Sequence, residues 1–489
     1  MPWLARTLYF TIAASIALIP LLASSQQAPN VPNVPVVNPA ERAIERQIER
    51  ATRQAERLER NLPSAAEIGQ ARALEQIASN TERTIERLSS LDPLSNLPER
   101  LSIRDKEGVE RFVDIEIEPG RRAIERQWVL MLDNEALAQF PQQAPELWKY
   151  LTENETLSGL GQNILTFTVP RHLDNRAGVE RLVPTGLHQA LDRNHIYQAT
   201  GDLRPEQMPS EQASIPVPPL QLQWPARSVC TAPLRIGVVD TGIHSDHPAF
   251  AQAVTEGRLI RRGFLDRDIP QPGHHGTAVT GILIGAAENH PALLPDATVY
   301  HAEVFYQQSV YHQGASLTHL IRALSWLSEQ QVQAINLSLT GPENRLLAQT
   351  VRRLHQANIA VIAAVGNDGP HAPKLYPAAY DEVIGATAVD SYGRIYRWAN
   401  QGEHVEFAGF GVSVLAPRAD NQWGYESGTS MAAPFVTAHA ACSAQDTVTA
   451  TRAELKKRAY AEKQERDPTI GFGVLHPALI INGVLANTH

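Results

Sequence analysis

The stretch LRIGVVDTGIHSDHP, Leu234 to Pro248, changes character in a single step. Its first half is an apolar, β-branched run and reads as a strand buried on both faces. Its second half opens on Asp240, and Thr241-Gly242 then permits a sharp turn. A carboxylate there is placed to orient an imidazole; a turn or helix-capping aspartate is the plainer alternative. Similar apolar runs follow: ATVYHAEVF, VQAINLSL, IAVIAAVG and EVIGATAV. Between them lie helical patterns, SLTHLIRALSWLSEQ and NRLLAQTVRRLHQAN. The alternation predicts an α/β domain over 230–489, a parallel sheet with helices on both faces. In such sheets the sites lie at the carboxyl ends of strands.

Three further segments carry polar residues at such places. PGHHGTAVTG, Pro272 to Gly281, sets His274 beside His275. ESGTSMAAPFVTAHAA opens a small-residue helix at Ser430, where unpaired backbone N–H groups can stabilise an oxyanion. Its small residues let that helix bury deeply, and Pro434 is expected within about its first turn. Asn367 ends the run IAVIAAVGN, where its amide suits a second oxyanion donor; a strand-end turn is the alternative.

In the order Asp, His, Asn, Ser, these segments resemble the subtilisin-like (subtilase) serine peptidases. VVDTGIHSDHP, HGTAVTGIL, INLSLTG, AAVGNDGP, YPAAYDEVIGATAVD, GTSMAAP and GFGVLHP carry the likeness, which covers Cys230 to the C-terminus. The resemblance implies a serine endopeptidase that requires no cofactor and acts on proteins or peptides; export is read from the N-terminus, below. His275 would be the base, Asp240 its orienting carboxylate, and Ser430 the nucleophile. Asn367 and the Ser430 N–H would hold the oxyanion. Ser338, Leu339, Thr340 and Gly341 would form one substrate wall, and Ala364, Val365 and Gly366 another. His274 is then expected at the cleft rim or in solvent. Ala278 stands where the family has a second histidine, Thr340 where glycine is common, and Val365 where alanine is common. The last two are expected to narrow the pocket toward small or medium apolar residues.

Ahead of this domain the chain changes texture repeatedly. Residues 1–25 read as a signal peptide: Arg6 precedes an apolar run of about 15 residues, short of the ~20 that span a bilayer. An uncleaved anchor is the alternative. Residues 26–40 form a Pro-rich linker. Over 41–95, Ile44, Ile48, Ala51, Ala55, Leu58 and Leu62 mark a heptad stripe, and a second run follows, predicting a helical hairpin whose partner is unknown. Residues 96–200 read as β-α-β-α-β, a small open-faced sheet with two helices on one side. By the resemblance this is a propeptide-like α+β domain that would act as an intramolecular inhibitor. A Pro/Gln-rich linker, 201–229, follows.

The chain has 489 residues and a formal net charge of −9, which argues against a nucleic-acid partner. An exported chain's two cysteines, Cys230 and Cys442, can pair; two separately buried thiols are the alternative. No Cys/His spacing points to a metal, and structural calcium is left open. One rival reading is a metal hydrolase using His244, His247, His274 and His275 near Asp240. Another is a subtilase-fold binding or scaffold protein, catalytically silent or permanently autoinhibited.

Overall fold

Apolar runs become strands wherever a neighbouring run can cover both their faces, and this chain supplies such runs in quantity. The computed structural model describes residues 97–199, 230, 233–265, 268–287, 292–309, 312–461 and 465–476, all within the unit Leu97–His489. The signal peptide, the 26–40 linker, the helical hairpin and the 201–229 linker lie outside the described residues. Among the described residues no helix is long and apolar enough to cross a membrane.

The first part of this unit contains β1 (Arg100–Arg104), β2 (Glu110–Glu118), β3 (Arg121–Leu132), α1 (Asn134–Gln143), α2 (Pro145–Trp148), β4 (Leu151–Leu157), β5 (Gln162–Thr168), α3 (Arg176–Glu180) and β6 (Leu191–Ala199). The three strands of the expected β-α-β-α-β order are β3, β5 and β6. Two features go beyond the expected pattern. The β1–β2 hairpin extends the sheet, and LTENETL forms β4 against β5. β4 is an exposed edge strand, so its side chains carry no apolar alternation to betray it. The expected second helix shortens to α3 and a 3₁₀ turn at Thr185–Ala190. Trp128, Leu130, Phe140, Leu147 and Phe167 form this layer's core.

The remainder contains β7 (Arg235–Asp240), α4 (Ala251–Thr255), β8 (Leu259–Gly263), α5 (His274–Ile284), β9 (Thr298–Glu303), β10 (Tyr306–Gln307), β11 (Gln313–Ser316), α6 (Leu317–Glu329), β12 (Ala334–Leu337) and β13 (Leu339–Thr340). It continues through α7 (Arg345–Gln356), β14 (Ala360–Ala364), β15 (Val383–Val389), β16 (Phe407–Phe410), β17 (Val414–Pro417), β18 (Trp423–Glu426), α8 (Thr429–Cys442) and α9 (Val448–Arg458). Seven strands make a sheet in the order β16-β15-β14-β12-β7-β9-β8, and every pair in it is parallel. Alternate residues feed opposite faces. Ile236, Val238 and Ile362 pack with α5 and α8; Val239, Ile335 and Val361 pack with α6 and α7. The predicted α/β class, helices on both faces, is therefore the observed one.

Cys230 and Cys442 form a disulfide with Cα atoms 5.3 Å apart and 212 residues apart in sequence. It ties the segment before β7 to the last residue of α8. A loop that long is worth about 5 kcal/mol in the chain-entropy account. Cys230→Ser/Cys442→Ser is expected to lower unfolding free energy by about 3–5 kcal/mol. Denaturant titration against the disulfide-intact wild type checks this, and the reduced wild type is expected to match the variant.

Candidate active site

The parallel sheet delivers Asp240 to the carboxyl end of β7, fully buried. Its Oδ1 accepts from the Thr241 backbone N–H at 2.7 Å and from His275 Nδ1 at 2.7 Å. His275 is the second residue of α5, packed over the same strand end. Gly276 shows why this helix can come so close. A Cβ built there would lie 2.5 Å from the Thr241 carbonyl oxygen and 2.8 Å from that of Gly242. Only glycine fits that approach. The Gly276 N–H then donates to Thr241 Oγ1 at 2.7 Å, locking helix to turn.

Burial pulls the His275 ring toward its neutral form. Asp240's charge and hydrogen bond, helped by the charge of Glu426, outweigh that, and the ring titrates above the ordinary histidine range. Nε2 is buried and has no hydrogen-bond partner among the described residues. The neighbouring His274 turns the other way, with Nε2 3.2 Å from Glu426 Oε1 and its side chain a quarter exposed. Glu426 also pairs with Arg418 Nε at 3.1 Å. Ala278 points into the core under α5.

Ser430 is the second residue of α8 and is buried. Gly428, with φ +147°, makes the entry to this helix. Pro434 is the sixth residue of the helix, deeper than the first turn the sequence suggested. It has no N–H to give to the Ser430 carbonyl, its i−4 partner. The Ser338 hydroxyl supplies that bond instead, donating to the Ser430 carbonyl at 3.0 Å. Ser338 Oγ in turn accepts from Asn336 Nδ2 at 2.9 Å, and Thr437 on α8 donates to Asn336 Oδ1 at 3.1 Å. Proline and serine together clamp the helix start to the end of β12. Asn367 Oδ1 accepts from both the backbone N–H and Oγ1 of Thr429, each at 3.0 Å, so its amide is oriented beside Ser430.

The two candidate walls differ in their surroundings. β13 pairs antiparallel with β6: Leu339 opposite Ala199, Thr340 opposite Gln198. Gly341 bridges Tyr376 and lies against the Tyr197 ring. A third strand, β11, takes the other edge of β6, with Gly314, Ala315 and Ser316 opposite Gln198, Tyr197 and Ile196; the sequence reading missed it, since QGAS carries no strand signal. Ala364 and Val365 are fully buried. Val365 belongs to the α6/α7 core and faces Gly385 on β15, so it does not narrow the cleft. Leu375 lies against Gly366: a Cβ built there would sit 2.7 Å from its Cδ1. Gly366 itself, at φ +110°, needs glycine's freedom.

Three of the four histidines of the metal-hydrolase reading have separate ring partners. His247 Nδ1 accepts from the Ala249 N–H and its Nε2 contacts the Gln422 carbonyl. His274 meets Glu426, and His275 meets Asp240. Among the described residues no group of three or more His, Cys, Asp or Glu could hold a metal ion.

An aspartate-bound imidazole on the carboxyl edge of a parallel sheet, with a buried serine at the start of a helix in the same core, fits a serine-hydrolase class of α/β protein. Comparison with known sequences narrows the class: the Subtilase family model matches residues 233–473, and the chain belongs to that family. It is 31% identical over 206 residues to thermitase of Thermoactinomyces vulgaris, covering 41% of this chain and 71% of thermitase. It is 30% identical over 269 residues to the subtilisin-like protease PopC of Myxococcus xanthus (strain DK1622), covering 45% and 54%. It is 26% identical over 251 residues to the minor extracellular protease Epr of Bacillus subtilis (strain 168), covering 50% and 37%. The chain therefore spans about half or less of the length of PopC and Epr.

Proposed function

We propose that this chain is the precursor of an exported serine endopeptidase. The observation that carries the reading is the 2.7 Å bond from His275 Nδ1 to buried Asp240, with Ser430 at the start of a neighbouring buried helix. His275 takes the Ser430 proton through Nε2 as the hydroxyl oxygen attacks a peptide carbonyl. Asp240 stabilises the resulting imidazolium, and the proton then passes to the leaving amine. The Asn367 amide and the Ser430 N–H hold the oxyanion. Water then hydrolyses the acyl-enzyme by the same proton path in reverse. No metal or redox group is required by these steps. Export agrees with the signal-like N-terminus, and Epr is named as an extracellular protease.

A substrate would add as a strand between Leu339–Thr340 and Gly314–Ser316. β6 lies in that slot, which supports self-inhibition by residues 97–199. Side chains beside the slot strengthen the hold. Asp192 Oδ2 accepts from the first N–H of α7 at 2.8 Å, and Asn194 Oδ1 from the Thr318 N–H of α6 at 3.2 Å. Both acceptors meet the positive ends of helices. Further out, the buried Asp114 of β2 accepts from Tyr306 OH at 3.1 Å, on β10, and from Gln308, just after it.

The decisive experiment expresses the full chain beside Ser430→Ala and treats both with a serine-directed phosphonate. Labelling and cleavage by the wild type alone support the reading; two silent, uncut proteins refute it.

Selectivity before the cleaved bond follows from Leu375 rather than Val365. Leu375→Ala is expected to raise kcat/KM for peptides with Phe or Tyr there by about 10–100-fold, the scale for opening an apolar pocket by a few methylenes. Profiling a peptide library against the wild type checks this. Unchanged preference would remove Leu375 from the pocket.

A further inference from the structure

His301 lies within β9, fully buried, and the proposed reaction leaves it without a task. Its Nε2 is 2.7 Å from the Thr241 carbonyl oxygen, and its Nδ1 is 2.8 Å from Thr280 Oγ1. A carbonyl only accepts, so Nε2 carries the hydrogen and donates. In a neutral ring Nδ1 is then the acceptor, taking the Thr280 hydroxyl proton. Burial, the leading influence, holds the ring below the ordinary histidine range with the help of Arg261. The Thr241 carbonyl and the charges of Asp240 and Glu303 oppose it without prevailing.

The two partners of this ring belong to the two elements that carry the candidate catalytic pair. Thr241 follows Asp240 directly at the end of β7. Thr280 is one turn along α5 from Gly276, which follows His275. The ring edge also fills the space beside Gly276, where a Cβ would lie 3.1 Å from His301 Cε1. Thr241 is thus held at three atoms: its N–H on Asp240, its Oγ1 under the Gly276 N–H, and its carbonyl on His301.

We propose that His301 is a positioning residue. Its neutral imidazole is the spacer that sets the distance between the strand end bearing Asp240 and the helix turn bearing His275. The proposal rests on the peptidase reading. An apolar replacement can fill the volume, but it leaves the Thr241 carbonyl and the Thr280 hydroxyl without the ring. The strand end can then rotate, and the Asp240–His275 bond moves with it. Errors of about 1 Å in such geometry slow catalysis roughly 100-fold.

The test uses the full chain with His301→Leu, His301→Gln and Thr280→Val. Active sites are counted with a fluorophosphonate, so that kcat refers only to folded, reactive molecules, and KM is measured on a short peptide amide. His301→Leu is expected to lower kcat per titrated site by about 10–100-fold with KM changed less than about twofold. His301→Gln, whose amide can donate to the Thr241 carbonyl, is expected to recover most of that loss. Thr280→Val, which keeps the shape and the Nε2 bond, is expected to lower kcat per site by about 3–10-fold. A residue that only fills space would change the number of titratable sites and the unfolding midpoint, leaving kcat per site at the wild-type value. That result in His301→Leu and Thr280→Val overturns the proposal, and Thr280→Val decides alone if His301→Leu does not fold. A wild type that neither labels nor cleaves instead brings down the peptidase reading and this inference with it.

Discussion

Ser430→Ala is expected to lower peptide-bond hydrolysis by about 10⁴-fold or more and to leave the chain uncut. The change removes the oxygen that His275 deprotonates in the proposed mechanism. It leaves the architecture alone. Alanine is a good helix former, and the Ser338 bond goes to the Ser430 backbone carbonyl, which alanine retains. Asn367 stays oriented by Thr429. Loss of activity with an unchanged thermal unfolding curve would therefore report chemistry rather than folding. Kinetics on a peptide amide, with mass spectrometry of the chain's own N-terminus, measures both parts. Processing at the wild-type rate in Ser430→Ala would assign the cut to another protease.

Asp240→Ala is expected to cost about 10³–10⁴-fold in kcat, because it strips the imidazole of its acceptor and of the charge that stabilises the imidazolium. It also carries a pH signature whose sign is determined. In the wild type, His275 is raised above the ordinary value of about 6.5. The base is neutral only above its own pKa, so activity is lost as pH falls through a midpoint higher than that value. Without the Asp240 charge, burial again dominates, with Glu426 alone opposing it. The residual rate should then rise at lower pH than in the wild type. Asp240→Asn separates charge from hydrogen bond: its amide oxygen can still accept where Oδ1 does, so a similar downward move of the acid limb isolates the charge. An acid limb that stays in place in both variants would detach Asp240 from the ionisation of His275.

The fold class was legible because burial on two faces leaves a local mark. IAVIAAVG and EVIGATAV carry no polar alternation, and such runs form a stable sheet only when helices cover both sides. β4 and β11 were not legible. LTENETL is an exposed edge and QGAS is too short and small to carry a period, so each is a strand only because a neighbour offers its hydrogen bonds. The candidate residues stood out by their places at strand ends and helix starts. The direction of the side chains beside them did not. Val365 and Leu375 look equally eligible in sequence to line a pocket, yet one packs against Gly385 in the core and the other against Gly366.

By itself the sequence determined the alternation of buried strands and covering helices from Cys230 onward, and the residues worth suspecting. Periodicity, breakers and strand ends are local properties, written over a few consecutive residues. Only the tertiary structure decided which suspected residues meet. Asp240 and His275 come within 2.7 Å across 35 positions, and Ser338 reaches Ser430 across 92 to make the bond that Pro434 cannot. It also decided that β6 fills the slot between β11 and β13, and that His301 bridges the turn after Asp240 to α5. These pairings depend on how closely whole elements approach, and that is set by the packing of layers and by glycines such as Gly276. No local preference encodes such a distance.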